Sequence, residues 1–151
     1  MPAASTAGHL LKNFVKGMEL YKLSKTFDAV LKTGNFVMAE PGKVHFEIEI
    51  LKEHTNGLGG MHGGFVALLV DNITGAAITT LGKSKKPDIP FYSGVSVAMN
   101  LNYLSPGKLG ETIIAKASVE KMGRTLVFTS CELVNKSDGK IIATGQHTKF
   151  L

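Results

Sequence analysis

An aspartate inside an apolar segment is the residue of this sequence with the clearest chemical potential. Asp71 is the only acidic residue between Glu53 and Asp88, and it lies between Val70 and Asn72 in a mostly apolar run. A carboxylate buried there without partners would be very costly. We therefore expect Asp71 to face outward, to be satisfied by a buried hydrogen bond, or to face a cleft as a general base or nucleophile.

A histidine and two glycines precede this run, at the expected start of a helix. Backbone N–H groups of His62, Gly63 and Gly64 would have no partner within the helix, so they suit an oxyanion or a phosphate. A flexible entry to a helix is the structural alternative. Asp71 follows Gly63 by eight residues, about 12 Å along a helix axis. That separation argues against one chain bringing both groups to one substrate atom, whereas a two-fold partner could supply the missing half.

Smaller polar residues are further candidates. Asn56 lies in the glycine-rich loop before the helix, and Ser96 lies on the strand face opposite Val95 and Val97. Either side chain could orient a water molecule or cap a turn. His62 is expected to hydrogen-bond the backbone rather than to act as a base.

Metal and cofactor chemistry is not expected. His54 and His62 lack the spacing of a metal-binding pair, and Cys131 is the only cysteine. Cys131 lies in an alternating strand pattern, which favours packing over nucleophilic chemistry. Neither a Gly-x-Ser-x-Gly elbow nor a phosphate-binding loop occurs in the sequence.

The hydrophobic pattern predicts one α+β domain over residues 1–151. Apolar spacing of three and four residues predicts an amphipathic helix, or two short ones, over 9–31, which would cover an edge or face of a sheet. The segment 65–81 is apolar nearly all round and predicts a central helix, followed by a polar loop over 82–90. Two-residue alternation predicts two strands before the central helix and four hairpin-linked strands after it, at 36–39, 44–51, 95–103, 113–119, 124–134 and 141–151. We therefore expect an antiparallel sheet wrapped around the central helix.

Composition excludes several classes of protein. The chain has 151 residues, of which 44% are apolar and 19% charged, so it can form a packed core, and no apolar run is long enough for a membrane span. One cysteine and no secretory signal favour an intracellular location, cytoplasmic or mitochondrial. The net charge of +5 attracts anions, but Arg124 is the only arginine and tryptophan is absent, so nucleic acid is not an expected partner.

Several motifs together resemble one known family, the hotdog-fold acyl-CoA thioesterases. The similarity spans about residues 41–149 and rests on Asn56, on His62-Gly63-Gly64, on Val70-Asp71-Asn72, on Gly94-Val95-Ser96-Val97 and on Gly145-Gln146-His147-Thr148-Lys149. The resemblance implies a hotdog fold that pairs into a dimer and then a tetramer. It also implies hydrolysis of medium- to long-chain fatty acyl-CoA.

The resemblance also implies roles for individual residues. Asp71 would be the base or nucleophile, and Ser96 would assist it from the same subunit. Asn56 of the other subunit would hold the attacking water, and the Gly63 N–H of that subunit would polarise the thioester carbonyl. CoA would contact two segments, formed by Tyr103, Leu104, Ser105, Pro106, Gly107 and Lys108, and by Lys121, Met122, Gly123, Arg124, Thr125 and Leu126.

Two other functions stay open. A hydroxyacyl-CoA dehydratase of the same fold would need an acid–base pair, for which His62 is the nearby candidate. An acyl-CoA-binding module would bind without releasing thiol. For a hydrolase, we expect the acyl chain length to depend on how Phe65, Leu68, Leu69 and their neighbours close a tunnel in the dimer.

Overall fold

The computed structural model describes residues 3–82, 86 and 92–151 of the chain. Within these residues it contains a long N-terminal helix, a central helix and six strands. The predicted polar loop over 82–90 lies outside the described residues, except for positions 82 and 86. The helices and strands are α1 Ala3–Leu23, β1 Asn35–Glu40, β2 Lys43–Glu49, α2 Gly63–Thr79, β3 Val95–Tyr103, β4 Thr112–Met122, β5 Leu126–Asn135 and β6 Ile141–Phe150.

The strands form one antiparallel sheet around α2, which confirms the predicted α+β architecture. The strand order is β1-β2-β4-β5-β6-β3. Helix α2 packs against β2, β4, β5 and β6, and its buried residues include Leu69, Val70 and Ile73. Cβ on Gly145 of β6 would lie 2.8 Å from the Val70 side chain, so the sheet approaches the helix closely at this point. The apolar character of α2 therefore follows from burial on most of its surface.

The connection from β3 to β4 contradicts the prediction of four consecutive hairpins. Strand β3 pairs with β6 at the edge of the sheet, while β4 lies between β2 and β5. Both edges of β4 are thus occupied, and β3 takes the open edge of β6. The segment 104–111 crosses the end of the sheet, where Gly107 O accepts a hydrogen bond from Met61 N and Ile50 O accepts one from Gly110 N.

The N-terminal segment forms one α-helix and a separate 3₁₀ turn. Helix α1 begins at Ala3, earlier than the predicted position 9, and the 3₁₀ turn covers Phe27–Leu31. Helix α1 packs on the edge strand β1, as predicted for an amphipathic helix. The rings of Phe14 and Phe36 lie 4.8 Å apart across this contact. Among the helices of the described residues, none combines the length and hydropathy that crossing a membrane requires.

Helix α2 begins two residues before the predicted position 65 because His62 caps it. The Nδ1 atom of His62 accepts a hydrogen bond of 2.8 Å from Gly64 N. This contact satisfies one of the N–H groups that the first turn of a helix leaves without a partner. Gly63 is therefore the first helical residue, and its N–H points away from the helix.

Candidate active site

Asp71 lies at the surface of α2 with three polar neighbours. Its side chain is 42% exposed. The Oδ1 atom lies 3.4 Å from Ser96 Oγ, 3.4 Å from Lys149 Nζ and 3.8 Å from His147 Nε2. The carboxylate is thus neither buried without a partner nor surrounded by water alone. Oδ2 makes no hydrogen bond or ion pair within the described residues, so it is open to a ligand.

A β-bulge places Ser96 beside Asp71. Strict alternation along β3 would put Ser96 on the face opposite Met99. The pairing with β6 instead shifts between Ser96 and Ala98, so that Ser96 pairs with Lys149 and Met99 with His147. Lys149 and His147 are two residues apart on β6 and share its inner face. The bulge therefore turns Ser96 onto the inner face as well, a common use of bulges beside functional sites.

His147 connects Ser96 to the interior of α2. The imidazole is buried, with Nδ1 2.8 Å from Thr74 Oγ1 and Nε2 2.9 Å from Ser96 Oγ. Burial lowers the pKa of His147, Lys149 lowers it further, and Asp71 opposes this by raising it. The ring is therefore neutral near pH 7 and has one N–H.

Thr74 Oγ1 has one proton and lies 2.7 Å from Val70 O and 2.8 Å from Nδ1 of His147, so two arrangements of protons are possible. If Thr74 donates to Nδ1, then Nε2–H of His147 donates to Ser96, and the Ser96 hydroxyl donates to Asp71. The opposite tautomer would use the Ser96 proton on His147 and leave the contact between Ser96 and Asp71 without one. The negative charge of Asp71 also favours donors that point towards it. We infer that His147 orients the Ser96 hydroxyl at the carboxylate.

The second group of predicted residues forms a separate pocket around the start of α2. The pocket has a volume of about 410 Å³. The hydroxyl of Tyr103 donates a hydrogen bond of 3.2 Å to Gly63 O. The lining residues are Asn56, Met61, Gly63, Val66, Tyr103, Leu104, Ser105, Pro106, Gly107 and Ile142. Five of the six residues predicted for the first CoA segment thus meet Asn56 and Gly63, while Lys108 is exposed nearby.

The donors of this pocket are set by the loop before α2. Asn56 Oδ1 accepts hydrogen bonds from Leu58 N at 2.9 Å and from Gly60 N at 3.3 Å. The carboxamide oxygen therefore accepts hydrogen bonds within the turn, and the amide NH2 group at Nδ2 is the part available to a ligand. Gly63 N–H meets no hydrogen-bond acceptor in the described part of the chain. The pocket thus offers two donors, which suits a polarised carbonyl or a thiolate.

The two groups lie at opposite ends of β3 within one chain. Tyr103 follows Ser96 by seven positions, which is about 23 Å along a strand. The second predicted CoA segment lies at the Ser96 end, because Leu126 and Val95 both pair with Phe150. Within one chain the Asp71 group and the Gly63 group therefore do not meet, as the spacing of Gly63 and Asp71 predicts.

His62 and Cys131 make structural contacts. The Nδ1 atom of His62 is occupied by capping α2. Cys131 packs in the core, and burial raises the pKa of its thiol to about 12. Among the described residues, no cluster of three or more His, Cys, Asp or Glu side chains could hold a metal ion.

Comparison with known proteins identifies the family. The sequence matches the family described as "Thioesterase superfamily" over residues 58–142. It is 45% identical to human "Acyl-coenzyme A thioesterase 13" over 93% of this chain and 94% of the relative. The chain belongs to the thioesterase superfamily. The fold also matches two solved structures of this thioesterase superfamily, from zebra fish and mouse.

Both solved structures cover almost the whole chain. "Thioesterase Superfamily Member 2" of zebra fish gives a TM-score of 0.85 at 41% identity, covering 93% of this chain and 97% of that protein. "Thioesterase superfamily member2" from Mus musculus gives a TM-score of 0.82 at 41% identity, covering 94% and 97%. The predicted hotdog fold is confirmed, since in this member of the superfamily too the antiparallel sheet wraps around a central helix.

The residue-by-residue interpretation missed three polar residues of this thioesterase superfamily chain, each of which contacts Asp71 or His147. Thr74, His147 and Lys149 received no individual role from the sequence, although His147 and Lys149 lie in a motif of the resemblance. A signal was present, because Gly145, His147 and Lys149 alternate along β6 with the period of a strand face. That periodicity places both polar side chains on the same face as the buried Ala143.

Proposed function

We propose that this protein hydrolyses fatty acyl-CoA thioesters to a fatty acid and CoA. The single observation that carries the proposal is the accessible Asp71 carboxylate, which lies 3.4 Å from the Ser96 hydroxyl with Oδ2 open to a ligand. The human relative at 45% identity is named as an acyl-CoA thioesterase, which supports the substrate class. The donor pocket at Gly63 supplies the complementary chemistry.

A second copy of the chain completes the site. Strand β3 is an edge strand with exposed apolar side chains: Val95 is 58% exposed, Val97 58% and Met99 40%. Such an edge favours antiparallel pairing with an identical strand. Pairing centred on Met99 would set Val95 of one copy opposite Tyr103 of the other. Asp71 of one copy would then approach the Gly63 pocket of the other.

The chemistry follows from these groups. Water bound between Asp71 Oδ2 and the thioester loses a proton to the carboxylate as its oxygen attacks the carbonyl carbon. Ser96 orients the water and the carboxylate, and Gly63 N–H of the second copy binds the oxygen that becomes negative. Asn56 Nδ2 donates to the substrate from the same side. The tetrahedral intermediate then collapses, the C–S bond breaks, and the CoA thiolate leaves.

Exposed cations suit the phosphates of CoA. Lys108 lies beside the Gly63 pocket, and Lys121 and Arg124 lie at the opposite end of β3. Pairing about Met99 would bring Lys121 and Arg124 of one copy towards Lys108 of the other. The combined set would bind the diphosphate and the ribose phosphate, for which lysine and arginine are the usual partners.

The alternatives find less support in the geometry. A dehydratase would need His62 as a base, but its Nδ1 already accepts from Gly64 N, and no acidic side chain pairs with His62 within the described residues. Neither a dehydratase nor a binding module releases thiol from acyl-CoA. An assay of thiol release therefore separates the hydrolase from both alternatives.

Thiol release from acyl-CoA tests the proposal. The parent should release thiol, and Asp71→Asn should lower kcat at least about 100-fold, because general-base catalysis contributes about that much or more. Asp138→Asn, an exposed aspartate in the hairpin between β5 and β6, is the matched control and should behave as the parent. Asp71→Asn activity within a few-fold of the parent, with folding intact, would show that the carboxylate has another role.

A further inference from the structure

A cavity lies beside Asp71 between α1 and α2, and Ser93 and Lys149 also line it. Its volume is about 220 Å³. Asp71, Gly75 and Ala76 line it from α2, and Phe36 lines it from β1. One face of α1 also lines the cavity. It is formed by Phe14, Gly17 and Tyr21, which follow one another by three and four residues. The sequence interpretation assigned no ligand contact to α1.

Polar contacts fix α1 against the central helix at this cavity. Tyr21 Oη donates a hydrogen bond of 3.1 Å to Asn72 Oδ1, and Asn72 Nδ2 lies 3.3 Å from Asp28 Oδ1. Burial raises the pKa of Tyr21, and the charges of Asp28 and Asp71 raise it further, so the hydroxyl keeps its proton as a donor. Since Asn72 follows Asp71 directly, this wall of the cavity is anchored next to the proposed catalytic carboxylate.

The expected orientation of the thioester indicates which part of the substrate occupies the cavity. A thioester carbonyl has two arms, one leading to the sulfur of CoA and one to the acyl chain. In the proposed dimer, the CoA arm lies towards the Gly63 pocket of the second copy. The acyl arm can then enter the cavity that Asp71, Gly75 and Ala76 line within its own chain.

We propose that this cavity binds the acyl chain and that the Phe14–Gly17–Tyr21 face of α1 sets the chain length. The inference rests on the proposed function and adds the binding site of the acyl group. It differs from the expectation that Phe65, Leu68, Leu69 and their neighbours close a tunnel in the dimer, since these three side chains are buried in the core and do not line this cavity. Gly17 lines the cavity without a side chain, so a larger residue at this position would narrow it.

The test narrows the cavity at one glycine of α1 and compares a second glycine of the same helix. Gly17→Leu adds a side chain at the cavity, while Gly8→Leu adds the same side chain where nothing lies within 4 Å of a new Cβ. Both changes raise helix propensity equally. Ala76→Leu narrows the cavity from α2 and serves as a second, independent variant if Gly17→Leu does not fold.

The readouts are kcat/KM along a ladder of saturated acyl-CoA lengths and the Kd of matching non-hydrolysable thioethers. Each methylene that no longer fits should lower kcat/KM and raise Kd for the longer chains by about fourfold, so two methylenes should change each value about 15-fold. Short-chain substrates and Gly8→Leu should match the parent. The inference alone fails if Gly17→Leu and Ala76→Leu keep the parent's length profile. A parent that neither hydrolyses nor binds any acyl-CoA overturns the proposed function together with the inference.

Discussion

Replacing His147 with alanine should lower turnover by acting through Ser96. The imidazole contacts Ser96 Oγ at 2.9 Å and lies 3.8 Å from Asp71 Oδ1, the oxygen that also contacts Ser96. One neutral hydrogen bond is worth about 1 kcal/mol net, so losing the orientation of Ser96 should lower kcat about fivefold, with little change in KM. The buried imidazole also hydrogen-bonds Thr74, so its removal deletes buried hydrogen bonds and leaves a cavity, and the free energy of unfolding should fall by about 1–3 kcal/mol.

A double-mutant cycle separates this positioning role from a merely structural one. In the Ser96→Ala background, His147→Ala should have almost no further effect on kcat, which gives a coupling energy of about 1 kcal/mol. The matched control is His54→Ala, because the buried His54 ring contacts Val30 O and Leu51 N rather than Ser96. Any effect of the His54 change on kcat should add to that of Ser96→Ala. Full additivity for His147→Ala as well would refute the inferred chain of hydrogen bonds.

Two further predictions follow from the same geometry. Gly63→Pro removes the N–H proposed to bind the oxyanion and should lower kcat by about 10²–10³, while circular dichroism stays unchanged because proline is tolerated at the first position of a helix. Unchanged turnover would assign the oxyanion to another donor. Burial lowers the pKa of His147 below its unfolded value of 6.5, so the neutral form stabilises the fold above that pH, and this stability is lost as the pH falls below it. Urea unfolding of the parent should show this decrease between pH 7.5 and 5, and His147→Gln should show a smaller one; equal decreases would rule out His147 as the source.

Local sequence signals predicted most elements because their causes are local. The apolar run made α2 recognisable, and alternation together with Pro41-Gly42 and Asp138-Gly139 identified two hairpins that the structure contains. Gly42 and Gly139 have φ angles of +77° and +73°, which glycine adopts without strain in such turns. Asp71 was identified for the same reason, since a single charge within an apolar helix needs partners.

Long-range pairing explains what the sequence did not predict. Lys149 lies 78 residues from Asp71, and the two meet only because β6 packs beside α2. Strand β3 pairs with β6 rather than with the predicted β4. This pairing depends on the whole sheet, and no local turn signal specifies it. The bulge that turns Ser96 inward depends on the same pairing. The roles of Asn56, Gly63, Ser96 and Asp71 stay predictions until the variants are measured.

Complementation between two inactive variants tests the composite site most directly. Asp71→Asn and Gly63→Pro chains would be co-expressed in equal amounts and compared with each variant alone. If each site takes Asp71 from one copy and Gly63 from another, random assembly leaves about a quarter of the sites intact, and thiol release should return to about a quarter of the parent's rate. Co-assembled oligomers that remain as inactive as the separate variants would contradict a site shared between two copies.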